Sequence, residues 1–292
     1  MERIAYYINI GVLKTFALLP LRVLYVVSDA MSFIIHRCFR YRVQIVRKNL
    51  RNAFPDKDET WFRRTEKEYY RYLCDCIVET VKLLHISDKE LLRRVTVENA
   101  EVVADYASAD KPIILFMGHC ANWEWVPALT LTVAKPRKMG ALFRPLHSRV
   151  MDRVMLRIRS RFSSVCIPIK GAYRALLDMK KQYNTFMIGF IADQRPTGAV
   201  PKHWTYFLNQ WTAFVAGGET IGNRVGARYL YLDLQRTKRG YMSLTFKEMR
   251  PEEDGEKDYP YTREFFRLLQ ETITRKPAFW LWSHNRWRDK ME

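Results

Sequence analysis

One segment, residues 111–127 with the sequence KPIILFMGHCANWEWVP, limits the possible folds of this chain more than any other. Residues 112–117 form a short apolar run that opens with proline, which is typical of a buried β-strand. Gly118 breaks the run, and His119 follows it directly. Since ligands of α/β proteins gather outside the carboxyl ends of the strands, His119 stands where such proteins carry their sites.

Apolar strand-like runs and helical segments alternate along the chain. Strands are predicted at 139–143, 165–169 and 185–191, helices at 60–84, 148–162, 172–181 and within 88–98, and a hairpin from 227–234 to 241–247. This alternation predicts an α/β layer fold. With 292 residues, 48% of them hydrophobic, the chain is long enough for one large domain, predicted at 37–292, and a short appendage at 1–36. An aromatic-rich segment at 199–213 is expected to line a groove or to pack, and 251–258 to form an acidic surface loop.

The N-terminal residues 1–36 have the composition of a membrane anchor. Lys14, Arg22 and Asp29 interrupt the apolar stretch, and the opening uncharged run, 4–13, is only ten residues long. A plain spanning helix needs about 20 apolar residues, and Pro20 would kink a helix here. We therefore expect interfacial or shallowly inserted helices, with a single span and a snorkelling Lys14 as the alternative. No signal-peptide core or cleavage site is evident, so the segment is expected to stay attached.

The charge of the chain indicates an acidic partner. The formal net charge is +18 and the pI is about 9.8, which fits nucleic acid or an anionic membrane with phosphorylated lipids. No acidic residue lies between Asp29 and Asp56, whereas six basic residues accumulate at 37–51, the pattern of a cytoplasmic juxtamembrane segment. A solvated helix face is the alternative. No nucleic-acid module is recognisable, so the membrane is favoured. The five cysteines have no zinc spacing, and their odd number fits reduced thiols.

His119 and Glu124 are the first candidates for catalysis. Five positions on a straight helix leave two side chains about 140° apart, so this pair can converge only across a turn. Asn122 is suited to cap the helix that follows, and Glu124 to lie in its first turn. An imidazole oriented by a carboxylate can take a proton from a hydroxyl, as acyl transfer to an alcohol requires. A hydrogen-bonded strand-end His beside a helix-terminal Glu is the alternative. Neither a Gly-x-Ser-x-Gly elbow nor a second His at metal-binding spacing accompanies them.

The same residues carry a resemblance to a known family. Gly118, His119, Asn122, Trp123 and Glu124 resemble the Gly-His-x-x-Asn-Trp-Glu motif of the bacterial lipid A biosynthesis acyltransferases, a branch of the lysophospholipid-acyltransferase superfamily that adds secondary acyl chains. Five further blocks are similar to the same branch and follow in the same order: RKNLRNAFP at 47–55, FRP at 143–145, ADQ at 192–194, FLNQWTAF at 207–214 and WLWSHNRWR at 280–288. The resemblance covers nearly the whole chain. It departs at His147, where the branch usually has Asn, and at Gln270, where it often has Glu.

The resemblance implies a fold, a reaction and a location. The fold would be a mixed central sheet flanked by helices, as in glycerolipid acyltransferases, with N-terminal membrane-associated helices. The reaction would transfer a fatty acyl chain from an acyl-carrier-protein thioester to a hydroxyl of a lipid A precursor, which is an anionic phosphorylated glycolipid. The location would be the cytoplasmic face of the bacterial inner membrane. No cofactor or metal is expected, and His119 would be the general base with Glu124 orienting its imidazole.

The matched blocks also supply candidates for substrate binding. Asn122, Asp193 and Gln194 lie in them, and Asp193 and Gln194 could instead be loop caps. Arg144 follows a predicted strand as His119 does, and it could stabilise an oxyanion, hold a phosphate or form a plain salt bridge. Arg157 belongs to a basic stripe that recurs every four residues from 149 to 161, which could bind lipid phosphates or simply face solvent.

Two other functions remain open on sequence alone. The chain could acylate another acceptor, such as a glycerophospholipid, a mannolipid or an aminolipid. It could also be a basic adaptor without enzymatic activity that binds a membrane or nucleic acid, in which case binding to oligonucleotides would depend steeply on salt.

Overall fold

The structure, a computed structural model, describes residues 2–108, 110–133, 136, 138–196, 202–251 and 258–289. In chain order its helices are α1 (Glu2–Leu18), α2 (Leu21–Phe33), α3 (Val43–Ala53), α4 (Glu59–Lys82), α5 (Asp88–Leu92), α6 (Glu101–Ser108), α7 (Leu129–Thr132), α8 (Arg149–Arg159), α9 (Ala172–Gln182), α10 (Gly217–Val225) and α11 (Pro260–Arg275). A π-helical turn, Ile34–Cys38, continues α2, and 3-10 turns lie at Trp123–Ala128, Ser160–Phe162 and Pro277–Phe279.

The strands form one large sheet and one small one. They are β1 (Val95–Val97), β2 (Ile113–Met117), β3 (Met139–Phe143), β4 (Val165–Pro168), β5 (Met187–Ile191), β6 (His203–Phe207), β7 (Gln210–Phe214), β8 (Arg228–Lys238) and β9 (Tyr241–Glu248). The seven-stranded sheet has the order β1-β9-β8-β2-β5-β3-β4, and β6 and β7 form a separate hairpin. From β8 to β4 all neighbours are parallel, whereas β9 is antiparallel to β8. The predicted mixed α/β sheet flanked by helices is therefore confirmed.

Strand β2 is central because its side chains are apolar on both faces. All five of its residues are buried, as a strand needs when parallel neighbours and helices cover it. Phe116 of β2 stacks on Phe265 of α11, with ring centroids 5.4 Å apart. The long helix α4 begins at an Asp58 cap, whose side chain accepts a hydrogen bond from the Trp61 N–H, and it packs against α1, α2 and α3.

The predicted elements differ from the structure at two places. The helix expected within 88–98 stops at Leu92 and is followed by β1. The aromatic segment at 199–213 forms the β6–β7 hairpin, whose turn residues Leu208 and Asn209 both have positive φ; residues 199–201 lie outside the described part of the chain. The expected acidic loop at 251–258 falls on residues of which 252–257 are likewise outside it. The β8–β9 hairpin turns at Gly240, where φ is +75°, a conformation that glycine adopts without strain.

The N-terminal helices α1 and α2 are bent relative to each other and expose apolar side chains. Ile4, Val26 and Phe33 are 66%, 70% and 64% exposed. Their inner faces pack on α4, and α1 also packs on α8. Among the described helices, none taken alone is both long and apolar enough to cross a membrane. Helix α1 and the 21–38 segment, which lie at 115° to each other, have the length and apolar composition of a membrane span only when they are taken together.

Candidate active site

The pairing of β2 with β5 brings His119 and Asp193 together. The two strands are parallel neighbours, and Met117 lies opposite Ile191. His119 and Asp193 each follow the last residue of their strand by two positions, so both side chains lie at the same carboxyl edge of the sheet. That edge is where α/β proteins commonly bind ligands. A contact across 74 positions of sequence thus follows from strand order.

Asp193 is a buried carboxylate with three hydrogen-bond donors. Its Oδ1 lies 2.6 Å from Nδ1 of His119, and its Oδ2 accepts from the His119 backbone N–H at 2.9 Å and from Trp280 Nε1 at 2.7 Å. Burial raises the pKa of Asp193, but the charge and hydrogen bonds of His119 and the bond from Trp280 outweigh it and lower this pKa to about 2. Asp193 is therefore ionised at neutral pH, which fixes the His119 tautomer with its proton on Nδ1.

The other ring nitrogen of His119, Nε2, faces the partly open side of the site. With the proton on Nδ1, Nε2 is a hydrogen-bond acceptor. The side-chain nitrogen of Gln194, an exposed residue, lies 3.3 Å from it, and the Trp123 ring lies edge-on with centroids 4.9 Å apart. The His119 side chain is 14% exposed. A substrate hydroxyl that displaces the Gln194 amide could reach Nε2 as a proton donor.

The turn between His119 and Glu124 is held from inside the protein. Asn122 caps the 3-10 turn, since its Oδ1 accepts from the Glu124 N–H at 3.2 Å, which confirms the predicted cap. Its Nδ2 donates to Oε2 of Glu79 on α4 at 2.8 Å. Oε1 of Glu79 accepts from the Tyr25 hydroxyl of α2 at 2.9 Å, and burial raises the Glu79 pKa. Asn122 is itself buried and holds the turn through these contacts, while its role in binding substrate stays a prediction.

Glu124 pairs with an arginine and not with the imidazole. Its two oxygens accept from Nε and Nη2 of Arg159 on α8, at 2.8 and 2.5 Å, a bidentate geometry that is among the stronger ion pairs. The expected orienting contact from Glu124 to His119 is thus made by Asp193 instead. The reason is that the cap at Asn122 starts a new helical turn, which directs Glu124 towards α8.

The other candidate arginines are Arg144 and the basic stripe at 149–161, some of which contact the protein interior while others are exposed. Arg144 follows β3, and the register of β3 with β5 places it at the same carboxyl edge as His119. In the basic stripe, Arg153 lies 4.4 Å over the Tyr6 ring of α1 and Arg161 donates to backbone carbonyls after α4. Arg157 is exposed. A role of Arg144 or Arg157 in binding substrate stays a prediction.

Arg159 was missed by sequence reasoning. It lies on the same helix as the stripe but two positions away from Arg157 and Arg161, on a different face. Five arginines between residues 149 and 161 offer no pattern that singles out the one facing Glu124.

The C-terminal segment completes the site and explains two of the matched blocks. Trp280 pairs with Cys120 in an isolated β-bridge and donates to Asp193. Asn49, from the RKNLRNAFP block, donates to the carbonyls of Trp282 and His284 at 2.9 and 3.0 Å. Nε2 of His284 accepts from the Arg195 N–H at 3.2 Å, and burial lowers the pKa of His284 to about 4. The segment thus contacts α3 through Asn49 and the His119 edge of the sheet through Trp280.

A family profile described as bacterial lipid A biosynthesis acyltransferase matches residues 1–289. A search of curated proteins gave no match. Within the described ranges of the chain, no group of three or more His, Cys, Asp or Glu side chains is arranged to hold a metal ion.

Proposed function

The chain belongs to the bacterial lipid A biosynthesis acyltransferase family, and from this we propose that it transfers a fatty acyl chain from an acyl-carrier-protein thioester to a hydroxyl of a lipid A precursor. Acyltransferase activity in lipid A biosynthesis is the general function of that family. The donor, the acceptor and the roles of individual residues are the proposal. The observation that supports it most is the 2.6 Å contact between His119 Nδ1 and Asp193, which leaves Nε2 as an acceptor at the open side.

His119 acts as the general base in this proposal. Its Nε2 takes the proton of the acceptor hydroxyl while the hydroxyl oxygen attacks the thioester carbon, which gives a tetrahedral oxyanion. Collapse of this intermediate breaks the C–S bond, and the imidazolium returns the proton to the departing sulfur. The products are an ester and a free thiol. Arg144, at the same edge of the sheet, is the candidate to stabilise the oxyanion or to hold a phosphate of the acceptor.

Asp193 is a positioning residue for His119. It keeps the proton on Nδ1 and stabilises the imidazolium that forms during transfer, as a carboxylate does in related dyads. Glu124 acts through Arg159: the pair fixes α8 against the catalytic turn, and the partly buried Arg159 keeps its counter-charge. Gln194 leaves Nε2 when the acceptor binds.

The N-terminal helices provide the attachment to the membrane. We propose residues 1–36 as the anchor and 37–292 as the acyltransferase domain, at the cytoplasmic face of the inner membrane. The exposed apolar side chains of α1 and α2 and the basic residues that follow them support an association with the interface.

The test is transfer by the purified full-length protein in mixed micelles. The donor is acyl carrier protein loaded with a labelled acyl chain. The acceptor is a phosphorylated lipid A precursor, a glycerophospholipid, a mannolipid or an aminolipid, and the products are identified by mass spectrometry. We expect one new ester on the lipid A precursor, and at least a 10²-fold slower reaction for His119→Ala. His85→Ala, at an exposed histidine, is the matched control and should keep normal activity. An unchanged rate for His119→Ala would contradict the mechanism. An ester found only on another acceptor would show that the acceptor is that lipid and not the lipid A precursor.

The adaptor hypothesis predicts a different result. It expects no ester with any acceptor, together with strongly salt-dependent binding to oligonucleotides. The family match and the His119–Asp193 geometry both favour the enzyme.

A further inference from the structure

A second concave surface lies behind the catalytic turn. It is a groove of about 620 Å³ between α4, the end of β8 with its turn, and residues 275–279. Two of its wall residues contact the turn directly: the Tyr72 hydroxyl donates to the Ala121 carbonyl at 2.7 Å, and the Phe279 carbonyl accepts from the Ala121 N–H at 3.0 Å. The groove is thus separated from His119 by the layer that carries Ala121, and it is distinct from the candidate active site.

The groove is lined by many more cations than anions. Seven basic and two acidic side chains face it: Arg64, Arg71, Arg236, Lys238, Arg239, Arg275 and Lys276, with Glu68 and Asp75. A concave surface with this excess of one sign concentrates anions. Phosphate groups suit it particularly, because a phosphate offers several oxygens to guanidinium and ammonium donors.

Some of these cations hold the groove together. Asp75 is buried and takes Arg236 at 2.6 Å, Arg239 at 2.7 Å and the Ser28 hydroxyl at 2.6 Å. Arg71 and Arg239 also pair with Asp29, and Arg275 pairs with Asp233. Among the described lining residues, the cations that have no carboxylate partner are Arg64, Lys238 and Lys276, and they give the groove its positive balance. Substitution of the paired residues would disturb internal contacts.

Two other cations are available to a ligand. Arg64 and Lys238 are exposed, and neither forms an ion pair or a polar hydrogen bond through its side chain with any residue that the structure describes. The Lys238 ammonium lies 4.2 Å over the Tyr241 ring, a contact that orients it without using its charge for an anion. A pair of this kind can be changed without breaking an internal contact.

The groove also borders the helix proposed to lie at the membrane. Asp29 of α2 pairs with Arg239 at 2.9 Å and with Arg71 at 3.4 Å. A bilayer surface is flat, so its own ester phosphates do not enter a concave groove. A phosphorylated sugar headgroup stands out from the surface and can enter it.

We propose that this basic groove binds a phosphate group on the sugar headgroup of the acceptor lipid. The identity of that lipid rests on the proposed function, whereas the binding itself does not depend on the chemistry at His119. The groove holds the headgroup while the acyl hydroxyl of the same lipid reaches the catalytic edge.

The experiment measures binding of the full-length protein to phosphatidylcholine vesicles by co-sedimentation. The vesicles carry the phosphorylated lipid A precursor, its phosphate-free counterpart, or phosphatidylglycerol at matched charge. We expect Arg64→Gln/Lys238→Gln to weaken binding to the phosphorylated precursor about 30-fold, since about 1 kcal/mol for each of the two basic residues near an anionic surface gives about 2 kcal/mol. The wild type and this double variant should bind the phosphate-free lipid equally. Their affinities for phosphatidylglycerol vesicles should differ less than threefold.

Lys111→Gln/Arg224→Gln is the matched control. It removes the same charge from two exposed residues before β2 and β8, at the opposite edge of the sheet from the groove. Equal losses in the two double variants would overturn the proposal, because net charge alone would then explain binding. An equal loss on phosphatidylglycerol would also overturn it, since the groove would then bind bulk phospholipid. If the wild type binds the precursor but transfers no acyl chain, the proposed function fails while the groove is still supported.

Discussion

Replacement of Asp193 by Asn separates the two assignments of the orienting carboxylate. All three partners of Asp193 are donors: the His119 ring Nδ1–H, the His119 backbone N–H and Trp280 Nε1–H. An Asn has one acceptor oxygen, and its lowest-energy placement keeps that oxygen on the two donors that share Oδ2. Its NH₂ group then faces Nδ1, which must lose its proton. The proton moves to Nε2, and the base is lost.

The expected magnitudes follow from this geometry. A base in the wrong tautomer slows proton transfer by about 10² to 10⁴-fold. The lowering of the Asp193 pKa from 3.8 to about 2 corresponds to about 2.5 kcal/mol of stabilisation of the buried carboxylate, which the Asn variant forfeits. For a chain of this size that loss lowers Tm by about 5 °C or more.

The assay is acyl transfer by mass spectrometry, with kcat and KM measured separately, beside thermal unfolding by circular dichroism. We expect kcat to fall at least 10²-fold while KM changes little, because the acceptor contacts stay in place. Asp193→Asn protein that is folded and retains more than about a third of wild-type kcat would refute the reasoning. So would a larger kcat loss for Glu124→Gln, since that order is expected if Glu124 orients the ring.

Three further predictions concern stability. Glu124→Gln leaves Arg159 without its counter-charge and should cost about 2 kcal/mol in urea unfolding, with a smaller loss of kcat than Asp193→Asn; a full kcat loss at unchanged stability would contradict the clamp. Gly118→Ala places a Cβ 2.4 Å from a methyl group of fully buried Leu269 and should destabilise by about 1–3 kcal/mol, whereas an unchanged urea midpoint would refute the close approach. The pKa of His284 falls from 6.5 to about 4 on folding, so the unfolded chain binds more protons in this window. The free energy of unfolding should therefore decrease as the pH is lowered from 6.5 to 4, by at most about 3 kcal/mol before solvent screening at this partly exposed ring. His284→Gln should flatten this pH dependence, and an equal slope of unfolding free energy against pH in the variant would argue against the assignment.

Much of the fold could be predicted because its signals are local. The strand at 139–143 and the end of the strand at Met117 agree with the structure, since a buried parallel strand is a continuous apolar run bounded by turn residues. The α4 helix differs from its prediction by one residue at the start and two at the end. The β6–β7 hairpin was missed because Leu208 occupies a positive-φ turn position, which sequence rules assign to Gly, Asn or Asp.

The site could be predicted only in part because its contacts depend on strand order. His119, Asp193 and Gln194 were all candidates, but the sequence does not show that β2 and β5 are neighbours. A signal was present, since His119 and Asp193 each follow a predicted strand by two residues. The short spacing from His119 to Glu124 drew attention to a local pair, while tertiary packing gave each of them a distant partner.

The buried carboxylate of Glu79 joins two parts of the molecule that work in different surroundings. One oxygen accepts from Tyr25 on α2 and the other accepts from Asn122 in the turn that follows His119. If α2 rests on the bilayer, then a tilt of that helix pulls on the very loop that carries the imidazole. Turnover would then be sensitive to lipid thickness and to detergent even with substrate in excess, because the solvent around the anchor would set how well the reacting groups are aligned.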